Sequence, residues 1–168
     1  MFMNVMYGYT GAAHSGRMPS VDIADSVVET GRYILDQVIS FINSHKVWKA
    51  EVVYGDTDSV FVHLKGRSIE EAFRIGEQME KEISALYPYP MYLKFEKVYS
   101  SLILVSKKRY VGMKYEKPND RPTMEGKGLE MQRRDGCNAI VRMMQKVVYE
   151  IFTTKNLSSV KRYMYYQW

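Results

Sequence analysis

The stretch Tyr54-Gly55-Asp56-Thr57-Asp58-Ser59 lies between two apolar runs, Val52-Val53 and Val60-Phe61-Val62. The flanks are rich in β-branched and aromatic residues, and Gly55 followed by Asp56 is turn chemistry, so the segment reads as strand, turn, strand. Such a bend crowds two carboxylates together with no basic residue between them. Like charges held that close repel unless a cation lies with them. A divalent metal that prefers hard oxygen donors, Mg²⁺ foremost, relieves the conflict. Two-metal phosphoryl chemistry sets its ions roughly 3.5–4 Å apart and needs several bridging carboxylates, so two aspartates make part of such a site. Aspartate is also an ordinary turn residue that bonds its own backbone, but a solvated turn has little use for apolar walls on both sides. An EF-hand loop counted from Asp56 fails, because its Gly and Glu positions hold Phe61 and Arg67.

At 168 residues the chain is about one domain long, with 46% hydrophobic and 26% charged residues, the balance of a globular protein with a real core. Its 24 Lys and Arg against 19 Asp and Glu give a net charge of +5, which favours a polyanionic partner such as nucleic acid. Fourteen Tyr and twelve Met supply adaptable contact residues. The single cysteine, Cys137, excludes an internal disulfide and fits a reducing compartment. No apolar stretch is long enough to span a bilayer, and the N-terminus lacks the charged-then-apolar order of a signal peptide.

Before the bend, Asn4 and Tyr7 are three apart and share one helix face, with Gly8 expected to close that helix. From Asp22 to about Asn43, the recurrence of Ile23, Val27, Ile34, Val38 and Phe41 predicts a long amphipathic helix with those residues buried. Trp48 lies in the connection to the bend, and neither His45 nor His63 has a ligand-spaced partner. After the bend, Ser68-Ile69-Glu70-Glu71 is a capping box. It starts a helix with Ile69, Ala72, Phe73, Gly76, Met79, Ile83 and Leu86 on one side, ended by Pro88 and Pro90. Met91 to Val98 alternates as a strand does, and Leu102-Ile103-Leu104-Val105 reads as a second, more buried strand.

That strand runs into Lys107-Lys108-Arg109-Tyr110, three cations and an aromatic. The pattern suits phosphate contacts with a groove or sugar contact, and equally a solvated charge run at a strand end. Tyr110 to Tyr115 continues as strand, 117–123 is a loop, and Gly126-Lys127-Gly128 is a second basic, backbone-accessible spot. Arg133-Arg134-Asp135 precedes a helix from Asn138 to about Thr153, with Ile140, Met144, Val147, Val148 and Ile151 on its buried face. The tail Lys161 to Trp168 stops without a cap, and both ends of the chain read as cut.

These stretches, in this order, resemble family B DNA polymerases. Tyr54 to Ser59 resembles the motif of the catalytic aspartates, and Asn4 to Thr10 resembles the end of the fingers-helix motif. Lys107 to Tyr110 resembles the primer-contacting motif, and Gly126 to Glu130 with Arg133-Arg134-Asp135 resembles the palm–thumb junction. Within the family, Ser15 to Pro19, Ala24 to Val28 and Thr30 to Arg32 resemble the zeta branch first and the delta branch second, while Leu93 to Tyr99 is similar in both.

The resemblance implies an α/β (α+β) polymerase palm: an antiparallel sheet bearing the aspartate hairpin, with two long helices behind it. It places the end of the fingers helix at 1–20, the palm at 21–130 and the start of the thumb at 131–168. Asp58 would be the principal metal ligand with Asp56 beside it, in a two-metal Mg²⁺ site, and both would be catalytic. Asn4, Tyr7 and Gly8 would border the incoming dNTP and the nascent base pair. Lys107, Lys108, Arg109, Tyr110 and Lys127 would hold primer–template DNA, and Glu96 would be an acid near the metals. The activity implied is template-directed DNA synthesis of the translesion type, in the nucleus, with accessory subunits and no membrane.

The fingers-motif Lys, expected four residues before Asn4, and the upstream aspartate motif do not occur in these residues. The chain is therefore expected to be a slice of a polymerase and to be inactive alone. Two rival readings follow from the residues. Asp56-Thr57-Asp58-Ser59-Val60 also fits the nucleophile pattern of a haloacid-dehalogenase-type phosphatase, whose aspartate ends a parallel strand. A basic DNA-binding module with purely structural aspartates is the non-enzymatic alternative.

Overall fold

The computed structural model describes residues 2–12, 19–129, 131 and 136–167, and side chains from residue 7 onward. Residues 15–18, Glu130, Arg133-Arg134-Asp135 and the side chain of Asn4, singled out above, lie outside that description. Two compact units emerge, Met1–Gly66 and Arg67–Trp168.

The first unit contains α1 (Phe2–Gly11), α2 (Val21–Ser44), β1 (Glu51–Asp56) and β2 (Ser59–His63). Helix α1 runs through Gly8 to Gly11, contrary to the expectation that Gly8 closes it. One glycine inside a helix costs about 1 kcal/mol, too little by itself to end one. Helix α2 forms where its periodicity predicts, but only part of the expected stripe is buried. Ala24, Val38 and Ile42 are covered, whereas Ile23 and Val27 are 56% and 54% exposed. Periodicity defines a face; burial also requires an element against it. The C-terminal half has that partner, since an added Cβ at Gly55 would lie 3.8 Å from both Leu35 and Ile39. Trp48, 2% exposed, stacks on His45 at a centroid distance of 3.7 Å and meets Phe41 edge-on at 5.8 Å. This aromatic cluster anchors the connection that delivers β1.

The second unit begins with α3 (Ile69–Ser84), capped as the sequence predicts. The Ser68 hydroxyl accepts from the Glu71 N–H at 3.2 Å, and the Glu71 carboxylate accepts from the Ser68 N–H at 3.2 Å. Phe73, Ile75, Gly76, Met79 and Ile83 are buried, while Leu86 lies past the helix end and is exposed. The strand expected over Met91 to Val98 does not form; pairing starts at Val98. Its backbone groups are taken by α3 side chains instead. Ser84 Oγ bridges the N–H and C=O of Leu93 at 3.0 and 3.2 Å, and Glu80 accepts from the Phe95 N–H at 2.8 Å. An alternating pattern thus lies along a helix rather than in a sheet.

Strands β3 (Val98–Ser106), β4 (Arg109–Tyr115) and β5 (Thr123–Lys127) form an antiparallel sheet in that order. Leu104 and Val105, expected among the more buried residues, are exposed because β3 is an edge strand. Strand β5 converts the expected loop end and basic spot into sheet, with Gly126 buried opposite Val111. One face of this sheet packs its apolar side chains on α4 (Asn138–Thr154): Val111, Leu129 and Met131 are buried against Val141, Met144, Val148 and Phe152. The expected Met144 and Val148 do face this core, but at the start of α4 Val141 takes the place expected for Ile140, which is exposed. The tail folds as α5 (Leu157–Gln167), started by Asn156, whose side chain accepts from the Ser158 N–H at 2.9 Å.

All strand pairs are antiparallel, as the fold class requires, but they form two sheets, β1-β2 and β3-β4-β5, rather than one. The aspartates at an antiparallel hairpin overturn the phosphatase reading, which needs an aspartate at the end of a parallel strand.

Candidate active site and nucleic-acid interface

The aspartate site is the tip of the β1–β2 hairpin. Asp56 pairs with Ser59, leaving a two-residue loop of Thr57 and Asp58. The Asp58 N–H bonds the Asp56 carbonyl at 2.5 Å around Thr57, whose φ is 53°. That three-residue ring with a positive φ is a γ-turn of the rare, strained kind, on a β-branched residue that seldom adopts it. Ser59 Oγ donates to the Asp56 carbonyl at 3.1 Å, and Thr57 Oγ1 donates to the Asp56 carboxylate at 3.3 Å. Asp56 is half-buried and Asp58 exposed. Away from the tip, Tyr54 packs on Phe61 at 5.6 Å, and a register shift between Val52 and Tyr54 bends β1. The Asn43 side chain of α2 accepts from the Val52 N–H at 2.9 Å beside that bulge. The tip is therefore short and held at its base.

Two carboxylates on one tight turn offer hard oxygen donors, which fits a hard divalent cation. Among the described residues no group of three or more His, Cys, Asp or Glu side chains could hold a metal. The pair is thus one part of a coordination set. Tyr7 and Gly8 lie on α1 and are exposed.

The basic stretches that are separate in sequence come together in the second unit. Lys107 and Lys108 form the β3–β4 turn, with Ser106 paired to Arg109 and a φ of 61° at Lys108. Tyr110 pairs with Lys127 across β4 and β5. Gly128, φ 67°, closes the gap: a Cβ there would lie 2.4 Å from the Lys108 carbonyl oxygen. Arg109 Nε donates to the Gly128 carbonyl at 3.1 Å. Lys107, Lys108, Arg109 and Lys127 therefore make one cationic patch across two adjoining turns. Tyr110 is only 6% exposed, so its ring sits within the sheet. Its oxygen, together with the charges of Glu125 and Glu96, holds the Lys127 ammonium above lysine's usual range.

Sequence reasoning missed what lies behind that patch. Lys97 Nζ donates to both Glu125 oxygens at 3.0 and 2.8 Å, and the Tyr99 hydroxyl donates to Glu125 Oε2 at 2.7 Å. Burial works to raise the Glu125 pKa, yet the bonds from Lys97 and Tyr99 prevail and hold it below the usual glutamate range. Burial foremost, then Glu125, pushes the Tyr99 hydroxyl far above its usual value. The alternating Glu125 and Lys127 around Gly126 was the available signal, legible only once β5 is known to be a strand. Glu96 lies in the irregular segment before β3 and lines an open cleft of about 360 Å³ with Lys94, Lys97, Lys114 and Glu116.

With this geometry in hand, comparison with known proteins is direct. The model of DNA polymerase family B matches residues 1–166. The chain is 50% identical over its whole length to the DNA polymerase zeta catalytic subunit of Arabidopsis thaliana, of which it covers 9%. It is 49% identical, over 98% of its length, to the zeta catalytic subunit of Saccharomyces cerevisiae, covering 11% of that protein. To the delta catalytic subunit of Plasmodium falciparum it is 39% identical over 95% of its length, covering 15% of that protein. The chain thus spans about a tenth of the length of the zeta relatives it matches. A match of this extent, over residues that include both the aspartate hairpin and the cationic patch, places the chain in DNA polymerase family B.

Proposed function

We propose that the chain supplies the palm-centred part of a zeta-type polymerase that performs template-directed, translesion DNA synthesis in the nucleus. In this reading residues 1–20 end the fingers helix, 21–130 form the palm and 131–168 begin the thumb. The reaction is attack of a primer 3′-hydroxyl on the α-phosphate of a dNTP, with pyrophosphate leaving. Asp56 and Asp58 hold Mg²⁺ with a third aspartate outside these residues. The bound metal supplies activation of the attacking hydroxyl and stabilisation of charge on the leaving oxygens. The chain's own contribution is to present both carboxylates from one short tip and to keep the cationic patch against the primer–template backbone. Asn4, Tyr7 and Gly8 border the incoming nucleotide, and accessory subunits complete the enzyme.

The observation that carries this reading is the aspartate pair on one antiparallel γ-turn in a chain of this family. Two carboxylates are fewer than two-metal chemistry needs, so the 168-residue chain alone gives no primer extension. In the complete polymerase, Asp58→Asn lowers primer extension by at least about a thousandfold, the scale of losing several kcal/mol of charge stabilisation. Full activity of Asp58→Asn would overturn the assignment and leave a DNA-binding module with structural aspartates.

A further inference from the structure

The three-stranded sheet carries a hydrogen-bonded chain of side chains on the face opposite α4. Tyr99 on β3 reaches over β4 to Glu125 on β5, and it can do so because Gly112 lies beneath it. A Cβ at Gly112 would sit 2.6 Å from Tyr99 Cδ1. The direction of each bond follows from the donor count. Tyr99 has one hydroxyl proton, and it goes to the Glu125 carboxylate at 2.7 Å. The Tyr99 and Tyr110 rings meet edge-on with centroids 6.4 Å apart, and with the Tyr99 proton committed to Glu125, Tyr99 can only accept from the Tyr110 hydroxyl. Lys127 is the cross-strand partner of Tyr110, so its side chain shares that face, and its ammonium can only donate to the Tyr110 oxygen. Lys97, its Nζ 5.9 Å above the Tyr99 ring, anchors the far end by its two bonds to Glu125. Donor and acceptor counts thus allow the run from Lys127 through Tyr110 and Tyr99 to Glu125 only one polarity, and bonds in such a chain strengthen one another.

We propose that Glu125 and Tyr99 are positioning residues for DNA binding: through Tyr110 they hold the Lys127 ammonium beside the Lys107-Lys108 turn, in place for one phosphate of a bound duplex. This rests on the reading of the cationic patch as the primer–template contact. A free surface lysine gives up rotamer freedom when it meets a phosphate, and a lysine already held gives up less. The proposal also predicts a sign. Removing the Glu125 charge raises the net charge from +5 to +6, which by long-range electrostatics alone would tighten DNA binding. Loss of positioning weakens it.

The test is titration of a fluorescent primer–template duplex with the 168-residue chain, read by anisotropy over a series of salt concentrations. Lys127→Gln is expected to lower the slope of log affinity against log salt by about one, the loss of one phosphate contact. Tyr99→Phe, which removes one oxygen and no charge, is expected to weaken binding about threefold, the scale of one net hydrogen bond, and to do nothing further in the Lys127→Gln background. Glu125→Gln is expected to weaken binding despite its added charge. Equal weakening by Tyr99→Phe in both backgrounds, or tighter binding by Glu125→Gln, overturns the positioning role. If Lys127→Gln leaves both affinity and slope unchanged, Lys127 makes no phosphate contact and the positioning role falls. If Lys107→Gln with Lys108→Gln also leaves both unchanged, the patch is not the DNA contact and the underlying reading falls with it.

Discussion

Gly112→Ala tests the packing on which the second unit's polar chain depends. The new Cβ would lie 2.6 Å from Tyr99 Cδ1, 2.8 Å from the Ser101 carbonyl oxygen and 2.9 Å from Leu102 Cδ1. Tyr99 and Leu102 can shift, but the Ser101 carbonyl cannot move far without loosening the β3–β4 ladder, where Ser101 pairs with Met113. Replacing a strand glycine by alanine gains about 0.5–1 kcal/mol in backbone entropy. Overpacking costs about 1–3 kcal/mol. A ring pushed away from Glu125 also loses a bond to a charged group, worth about 1.5–3 kcal/mol. The costs win, by about 2–4 kcal/mol. Urea unfolding followed by far-UV circular dichroism, with an m-value of about 1–3 kcal/mol/M, should show the transition of the second unit moved down by about 1 M or more. A second variant separates ring from backbone. Adding Tyr99→Ala should recover part of the loss if the ring dominates, giving a coupling outside simple additivity. A Gly112→Ala midpoint equal to or above the parent's would refute the packing argument.

Three further outcomes follow from the same contacts. Ser68→Ala removes the capping box of α3 and should cost about 1 kcal/mol, read as a lower thermal midpoint; an unchanged midpoint would mean that water replaces the cap. Ile42→Ala, at a fully buried position of the first unit, should cost about 2–5 kcal/mol and loosen the Trp48 cluster, visible as a red-shifted Trp fluorescence maximum at lower urea. Glu125 has a pKa below the usual glutamate value in the folded chain, so its contribution is complete above the unfolded value of about 4.3 and is lost as pH falls through the folded one. The stability of Glu125→Gln should therefore decline less than the parent's on acidification below about pH 4.3; parallel declines would show that Glu125 does not carry the acid sensitivity.

The helices and the bend were legible because their signals are local. Ser68 and Glu71 sit three apart in the sequence and bond each other in the fold, and the turn chemistry at Tyr54 to Ser59 needs only adjacent residues. Where the sequence misled, the deciding partner was distant. Met91 to Val98 alternates as a strand would, but Ser84 and Glu80 take its backbone groups. Ile23 and Ile140 fit their helical stripes and stay exposed, because periodicity names a face without naming what covers it. The aspartate pair could be read from six residues. The cationic patch could be read only as two stretches, since its unity depends on the Tyr110–Lys127 pairing and on the close approach of Gly128 to Lys108.

The two proposed functional tips share one backbone economy. Two-residue hairpin loops want positive φ, and glycine or asparagine supplies it with little strain. Here Thr57 and Lys108 occupy those positions at φ 53° and 61°, at a cost of about 1–2 kcal/mol each. Glycine is available to this chain and is used elsewhere, at Gly112 and Gly128, where a Cβ would strike backbone. Side chains are thus kept at both tips and given up beneath them. At the first tip the threonine hydroxyl bonds the Asp56 carboxylate; at the second the lysine adds a cation to the patch. Residues held in costly conformations concentrate at working sites because the surrounding fold over-determines them. In this chain that over-determination is visible: Asn43 holds the base of the aspartate hairpin, and Arg109 with Gly128 ties the lysine turn to β5. Lys49 and Lys155 also take positive φ, away from both tips, so what distinguishes Thr57 and Lys108 is strain placed in a two-residue hairpin loop whose base is tied down.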